Sequence, residues 1–412
     1  MRLVLLIAYH FPPLSGSSGL QRTLRFAQYL PEFGWKPIVL TVLPSAYEQV
    51  DERSLVQIPP GCEVVRTRCF DAGRHLSVRG RYAAFTALPD RWASWQLWGV
   101  RAGERLCRER GIRALWSTYP IATAHKIGAA LAERTALPWI ADFRDPMAQD
   151  GYPSDPRRWR EFKRIEESAA STAVRLVFVS PSALAMYRER YPETPAERFV
   201  LIENGFDEPS FEGLPDAGTP HRVGPPVLLH SGIVYPSERD PGALFEALGR
   251  LVASGRIRPG DVVVRFRASV HEDLLRRLAS ERRVEAFVEI LPTIPYRDAL
   301  REMKEADALL VMQGANCNEQ IPAKLYEYLR AGRPILGLAD PRGDTGRTLG
   351  NLGYPFVTSL ESADAIADAL PAFLQALRTG TLPVAGREVV DRYSRRALTG
   401  RFAGLLDAVS GT

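Results

Sequence analysis

The residues best placed to do chemistry lie at positions 313–334, QGANCNEQIPAKLYEYLRAGRP. Glu319 falls in the loop before a predicted helix and Glu327 on that helix, an E-x7-E spacing. A carboxylate in a loop and another two turns along can contact two separate hydroxyl-rich parts of one ligand. Pro322 suits the first helical turn and Gly332 the stop. The free N–H groups of residues 321–324, together with Lys324, favour a phosphate between the two acids. A solvated helix uses the same letters, because Lys324 with Glu327 and Glu327 with Arg330 are ordinary i,i+3 ion pairs.

A second stretch, HSGIVYPSERDPGALFEAL, follows an apolar run ending at His230. Asp240 reads as an N-cap and Pro241 as a first helical residue, with Arg239 directly before the cap. A helix N-terminus beside an arginine is an anion site; an exposed arginine at a loop end is the plainer alternative. The first loop, FPPLSGSSGLQR, places Gly16 and Gly19 where backbone can approach a ligand at a helix start. It matches neither G-x-G-x-x-G nor G-x-x-x-x-G-K-[ST]. In ADFRDP, residues 141–146, Asp142, Arg144 and Asp145 follow a predicted strand, as cleft residues or as a structural Asp–Arg pair. The six histidines are dispersed, no acid has the His or Cys company of a metal site, and no G-x-S-x-G triad signature occurs.

The elements that carry these residues alternate. Strands are expected at 3–8, 38–42, 114–117, 139–143, 176–180 and 199–202, with helices at 20–33, 95–110, 121–134, 157–170 and 181–190 between them. Residues 207–226 are rich in proline and glycine and read as a linker. The alternation then restarts, with strands at 227–230, 261–266, 284–291, 308–312 and 335–339, and residues 388–409 form one or two amphipathic helices. Short apolar strands alternating with helices mean parallel sheets covered on both faces. The fold class is therefore α/β, two doubly wound Rossmann-like domains facing across a cleft. The expected boundaries are 1–206 for the first domain, 207–226 for the linker, 227–385 for the second domain, and 386–412 for helices returning to the first domain. In such sheets ligands bind at the carboxyl ends of the strands.

The 412 residues, 45% apolar and 25% charged, exclude a disordered, collagenous or disulfide-stapled chain. Four scattered cysteines without a C-x-x-C spacing point to a reduced cytoplasmic protein. The apolar run at residues 3–8 is too short for a signal-peptide core or a membrane span. Charge is uneven. Residues 1–206 hold 28 Lys and Arg against 21 Asp and Glu, whereas residues 207–412 hold 25 against 27. The surplus of seven is complete by Arg113, which suggests an anionic partner or membrane surface for the first half. Trp92, Trp95 and Trp98 lie among arginines there, at a spacing that suits core packing.

Four segments in this order resemble retaining glycosyltransferases of family 4, on the GT-B fold, of the bacterial surface-polysaccharide type. They are FPPLSGSSGLQRTLRFAQYLPEFGWKPIVLTV, PWIADFRDP, VFVSPSALAMYRERYP followed by IENGFD, and NEQIPAKLYEYLRAGRPIL. The resemblance implies a hexosyltransferase-type enzyme that moves a sugar from a UDP- or GDP-linked donor to a hydroxyl of a glycan, lipid-linked or small-molecule acceptor. Retention and metal independence come with it, and no cofactor beyond the donor. Glu327 resembles the acid that holds the ribose, and Glu319 the acid facing the transferred sugar. Arg239 falls near the residue that meets the diphosphate, assisted by Lys324. Ile233 stands after Gly232 where the family often has arginine, which shifts weight to Arg239 or to Arg267. Gly16 and Gly19 border the acceptor side, and Asp145 is the candidate for the first domain's catalytic acid. A nucleotide-sugar epimerase of GT-B type and a non-catalytic relative binding glycan or nucleotide are the alternatives. No nucleic-acid partner is expected. The expected location is cytoplasmic, with peripheral attachment to the inner face of the membrane.

Overall fold

A parallel strand with helices on both faces has no wet side, so it reads apolar without alternation. The first strand, β1 (Arg2–Ile7), shows the result: Leu5 and Ile7 join one apolar cluster, Val4 and Leu6 another. Successive side chains point to opposite faces, so one run of apolar residues feeds two cores. The structure is a computed structural model and describes residues 1–16, 19–215 and 224–411. Residues 216–223 of the expected linker and Ser17 and Ser18 of the first glycine loop lie outside the described residues.

The chain divides into two compact units, Met1–Glu203 with Arg395–Thr412, and Asn204–Ser394. The first unit contains β1, β2 (Trp35–Val42), β3 (Glu63–Thr67), β4 (Ile112–Thr118), β5 (Trp139–Arg144), β6 (Arg175–Phe178) and β7 (Phe199–Leu201). They form one parallel sheet in the order β3-β2-β1-β4-β5-β6-β7. The second unit contains β8 (Val227–Ser231), β9 (Val263–Arg267), β10 (Val288–Leu291), β11 (Ala308–Met312), β12 (Ile335–Leu338) and β13 (Val357–Thr358), parallel in the order β10-β9-β8-β11-β12-β13. Both are doubly wound, as the alternating pattern predicts.

The departures have local causes. The helix expected over 20–33 is α-helical only to Tyr29. Pro31 and Gly34, at φ +81°, tighten its end into a 3₁₀ turn over Leu30–Phe33. The strand expected over 284–291 starts at Val288, because Glu285–Phe287 form a 3₁₀ turn. The half-polar EVVRT of β3 and the two-residue β13 carry too weak a pattern to stand out in the sequence.

The C-terminal helix Arg395–Val409 completes the first unit's core. Phe402 stacks on Phe26 at 4.6 Å between ring centres and lies 5.8 Å from Trp116. Trp35 Nε1 donates to Asp407 at 2.8 Å, fixing the helix against the start of β2.

One buried ion pair ties the carboxyl ends of this sheet together. Arg22, on the helix Leu20–Tyr29, donates through Nε and Nη2 to the two carboxylate oxygens of Asp142 on β5, at 2.8 and 2.9 Å. Its remaining donors reach the carbonyls of Ile202 and Glu203, both at 3.0 Å, and Asp142 also accepts from Thr118 Oγ1 at 2.8 Å. Arg22 is 4% exposed and Asp142 fully buried, so neither charge has water to fall back on. Removing one partner strands the other. Asp142→Ala is expected to destabilise the first unit by about 3–5 kcal/mol, read by denaturant unfolding. The double variant Arg22→Met with Asp142→Ala should lose clearly less than the two single losses added together.

Candidate functional site

Strand order reverses in the second sheet between β8 and β11, and that switch point is where an open α/β sheet leaves a crevice. The loop after β8 opens with Gly232 at φ +124°, a conformation that favours glycine. A Cβ there would stand 2.8 Å from Lys324 Nζ, so the space in front of Lys324 depends on a missing side chain. Two backbone donors fix this turn: Ser231 N–H to the Tyr328 hydroxyl at 2.7 Å, and Gly232 N–H to the Arg267 carbonyl at 2.8 Å.

Behind the glycine sits His230, fully buried. Its Nδ1 lies 3.0 Å from the Leu310 carbonyl, which can only accept, so Nδ1 carries the proton and Nε2 is an acceptor. Lys324 Nζ donates to that Nε2 at 3.0 Å. The lysine is thereby aimed from below by an uncharged imidazole. Burial pushes the His230 pKa well below its ordinary value, and the Lys324 charge pushes it further. Burial lowers the Lys324 pKa to about 7, and neighbouring Arg239 adds to the shift against the opposing pull of Glu327. Arg239 lies over the Tyr235 ring at 5.3 Å, with Nη1 3.4 Å from the Ile233 carbonyl, and its Nε is buried without a partner. Neither Lys324 nor Arg239 has a salt bridge among the described residues. Two cations drawn together without a carboxylate between them make a site that gains from an anion.

The loop after β11 is tied to the loop after β8. Gly314 N–H donates to the Glu238 carbonyl at 2.6 Å and Asn316 Nδ2 to the Ser237 carbonyl at 2.7 Å. Glu319 lies half-buried in this loop. The helix begins at Lys324, so Pro322 precedes it and its carbonyl accepts from Leu325 N–H at 2.9 Å. Glu327 stands on the first turn and accepts from the Tyr296 hydroxyl at 2.7 Å. On the β8 side the helix begins at Gly242, with the Asp240 carboxylate accepting from Gly242 N–H at 2.8 Å. Arg267 is drawn away from this group: Nε and Nη2 donate to the Glu302 carboxylate at 2.8 and 2.9 Å, and Nη1 to the Pro292 carbonyl at 2.8 Å. Its part in the crevice is its own carbonyl, which holds Gly232.

In the first unit, Gly16 has φ +75°, and Gly19, just before the helix Leu20–Tyr29, offers its carbonyl to Arg144 Nη1 at 3.1 Å. Arg144 ends β5 with φ +59°, left-handed backbone that few arginines adopt. Burial pulls its pKa down, with Asp145 and Asp142 pulling the other way. Half-buried Asp145 follows directly. His10 is the residue that sequence reasoning passed over. It follows β1, and burial aided by the Arg144 charge lowers its pKa to about 4, so the ring is neutral. Its place directly after the first strand was the available signal. Asp142, three letters before Asp145, takes the structural role with Arg22. Among the described residues no group of three or more His, Cys, Asp or Glu is arranged to hold a metal ion.

Residues 19–205 match the family model of the glycosyl transferase 4-like domain. No curated protein matches the chain by sequence. Solved structures share its fold along its length. HepE of Anabaena, solved with UDP and glucose, superposes with a TM-score of 0.68 at 14% identity, covering 99% of this chain and 100% of that one. Sucrose-phosphate synthase of Thermosynechococcus elongatus gives 0.65 at 15% identity, covering 99% of each chain. WaaG, a glycosyltransferase involved in lipopolysaccharide biosynthesis, gives 0.61 at 15% identity, covering 100% of each.

The enclosed lysine has a signature in stability. As the pH falls, the unfolded chain takes up the Lys324 proton near the ordinary value of 10.5, whereas the folded chain takes it up only at about pH 7. Between those values the unfolded state binds more protons, so this group adds stability as pH rises through the window and costs most below it. Unfolding of wild type and of Lys324→Met, followed from pH 7 to 10, should show the wild-type free energy gaining on the variant with increasing pH.

Proposed function

We propose that this chain, whose residues 19–205 match the glycosyl transferase 4-like domain and whose fold matches solved glycosyltransferases, is itself a glycosyltransferase of the GT-B type that transfers a sugar from a UDP- or GDP-linked donor to the hydroxyl of a glycan, lipid-linked or small-molecule acceptor, with retention and without a metal ion. The observation that carries the reading is the pair of unpaired cations, Arg239 and Lys324, gathered around Gly232 at the carboxyl end of β8. A diphosphate fits that need in charge. On binding it would keep Lys324 protonated, since a nearby anion favours the charged form.

Under this reading Glu327, steadied by Tyr296, accepts from the ribose hydroxyls, and Glu319 faces the transferred sugar. The bond from the anomeric carbon to the diphosphate oxygen breaks. The bond to the acceptor oxygen forms on the same face, and the acceptor's proton passes to the departing phosphate. Charge developing on the leaving group is met by Arg239, Lys324 and the helix start at Lys324, donors fixed before the reaction begins. On the first unit, Gly16 and Gly19 let an acceptor approach the backbone, and Asp145 with neutral His10 are the groups suited to steer its hydroxyl.

The test is transfer of labelled sugar from a panel of UDP and GDP sugars to polyprenyl-linked and soluble glycan acceptors. Label leaving the nucleotide only when acceptor is present supports the proposal. Interconversion of nucleotide sugars without acceptor would replace it with an epimerase. Activity should persist after chelation; loss on EDTA, restored by magnesium or manganese, would overturn the metal-free electrostatics. Glu327→Gln should weaken nucleoside diphosphate binding by about 1.5–3 kcal/mol, the worth of hydrogen bonds to a charged group, as read by calorimetric titration.

A further inference from the structure

Residues 72–89 leave the first unit as a long excursion that packs little of itself. Its neck is firm: Ala72 N–H donates to the Arg91 carbonyl at 2.8 Å, Arg91 pairs with buried Asp71 at 2.7 Å, and Phe70 N–H donates to Ser94 Oγ at 2.8 Å. Arg74 anchors one side on the Tyr47 carbonyl at 2.6 Å. Beyond the neck the apolar side chains turn outward. Val78 and Phe85 are each 76% exposed, and Leu76 and Tyr82 about two-fifths exposed. A soluble surface tolerates single apolar residues, whereas four together on one excursion call for a partner.

The charge around them identifies it. Residues 72–89 contain no acidic residue. Val78 and Arg81 exchange backbone hydrogen bonds at 2.8 and 3.1 Å, which puts Arg79 and Gly80, both at positive φ, on a tight hairpin tip. Exposed Arg79 and Arg81 make no ion pair among the described residues. The two nearest acids are spent: Asp71 on Arg91, and Asp90 on Trp92 N–H and the Thr123 backbone and hydroxyl. Outward apolar side chains with uncompensated arginines on one hydrogen-bonded excursion complement the headgroup boundary of an anionic bilayer, where apolar tips enter the acyl edge and guanidinium groups meet phosphates.

We propose that residues 72–89 dock this chain on anionic phospholipid, with Val78 and Phe85 inserted and Arg79 and Arg81 on the lipid phosphates. The proposal stands apart from the chemistry assigned to the second unit. The test is flotation of the full chain with vesicles of phosphatidylcholine alone or with phosphatidylglycerol added, at low and high salt. Wild type should float with the anionic vesicles at low salt and fall away as salt rises. Val78→Ser with Phe85→Ser should lower partitioning about tenfold or more. Arg79→Ser with Arg81→Ser should abolish the preference for anionic lipid. These side chains are exposed, so unfolding midpoints and nucleoside diphosphate binding should match wild type and separate a docking defect from a folding or donor-site defect. Equal flotation of wild type and the Val78/Phe85 variant, or no flotation of wild type with anionic vesicles at low salt, would overturn the proposal. So would a wild-type dimer in solution that the same variant converts to monomer, which would give the face to a second copy of this chain.

Discussion

The first unit depends on the fork between Arg22 and Asp142. A helix, two neighbouring strands and the segment leaving β7 all end on those two side chains, and five hydrogen bonds place them with no water in reach. An apolar contact would hold the same elements with less directional demand. The ion pair adds that demand, because a bidentate arginine fits its carboxylate in one plane and one register. Gly19 and Arg144, which border the candidate acceptor side, lie within three residues of this fork along the chain. The second unit handles charge in the opposite way. There His230 supports Lys324 without neutralising it, and Arg239 faces the same space with a buried donor unfilled. The first unit pairs these two buried charges with each other, whereas Lys324 and Arg239 in the second have no salt bridge among the described residues.

Much of this was legible in the letters. The apolar strands of β1, β4 and β11 sit in both cores and had no other plausible environment. Gly34 and Gly332 end their helices in left-handed backbone, where glycine was the informative letter. Edges were harder. The half-exposed β3 does not look like a buried strand, and the turn at Glu285–Phe287 shortens a run in which Val284, Phe287, Val288 and Ile290 favour strand. These are places where a neighbour's packing, absent from any local window, decides the outcome.

The candidate site was legible in its types and less so in its partners. The spacing of Glu319 and Glu327 and the arginine at 239 could be read directly. His230 could not, because its role is set by a lysine 94 positions away. Arg267 looked available from its place after a strand, but only the fold shows Glu302 across from it, filling its fork. In ADFRDP the alternation of the strand separates the two acids. Asp142 points into the packed end of the sheet, while Asp145 falls past its last residue.

The helix Arg395–Val409 has a consequence for how this chain is made. It belongs to the first unit, yet the ribosome delivers it after the whole of the second. Until then the face built by Phe26 and Trp116 lacks the ring of Phe402 that covers it. The nascent first unit must therefore wait, with an apolar surface open, through the synthesis of nearly two hundred further residues. At about 5–20 residues per second that is a delay of about ten seconds or more. Over that interval the unfinished unit keeps this apolar face uncovered, and the helix Arg395–Val409 closes it.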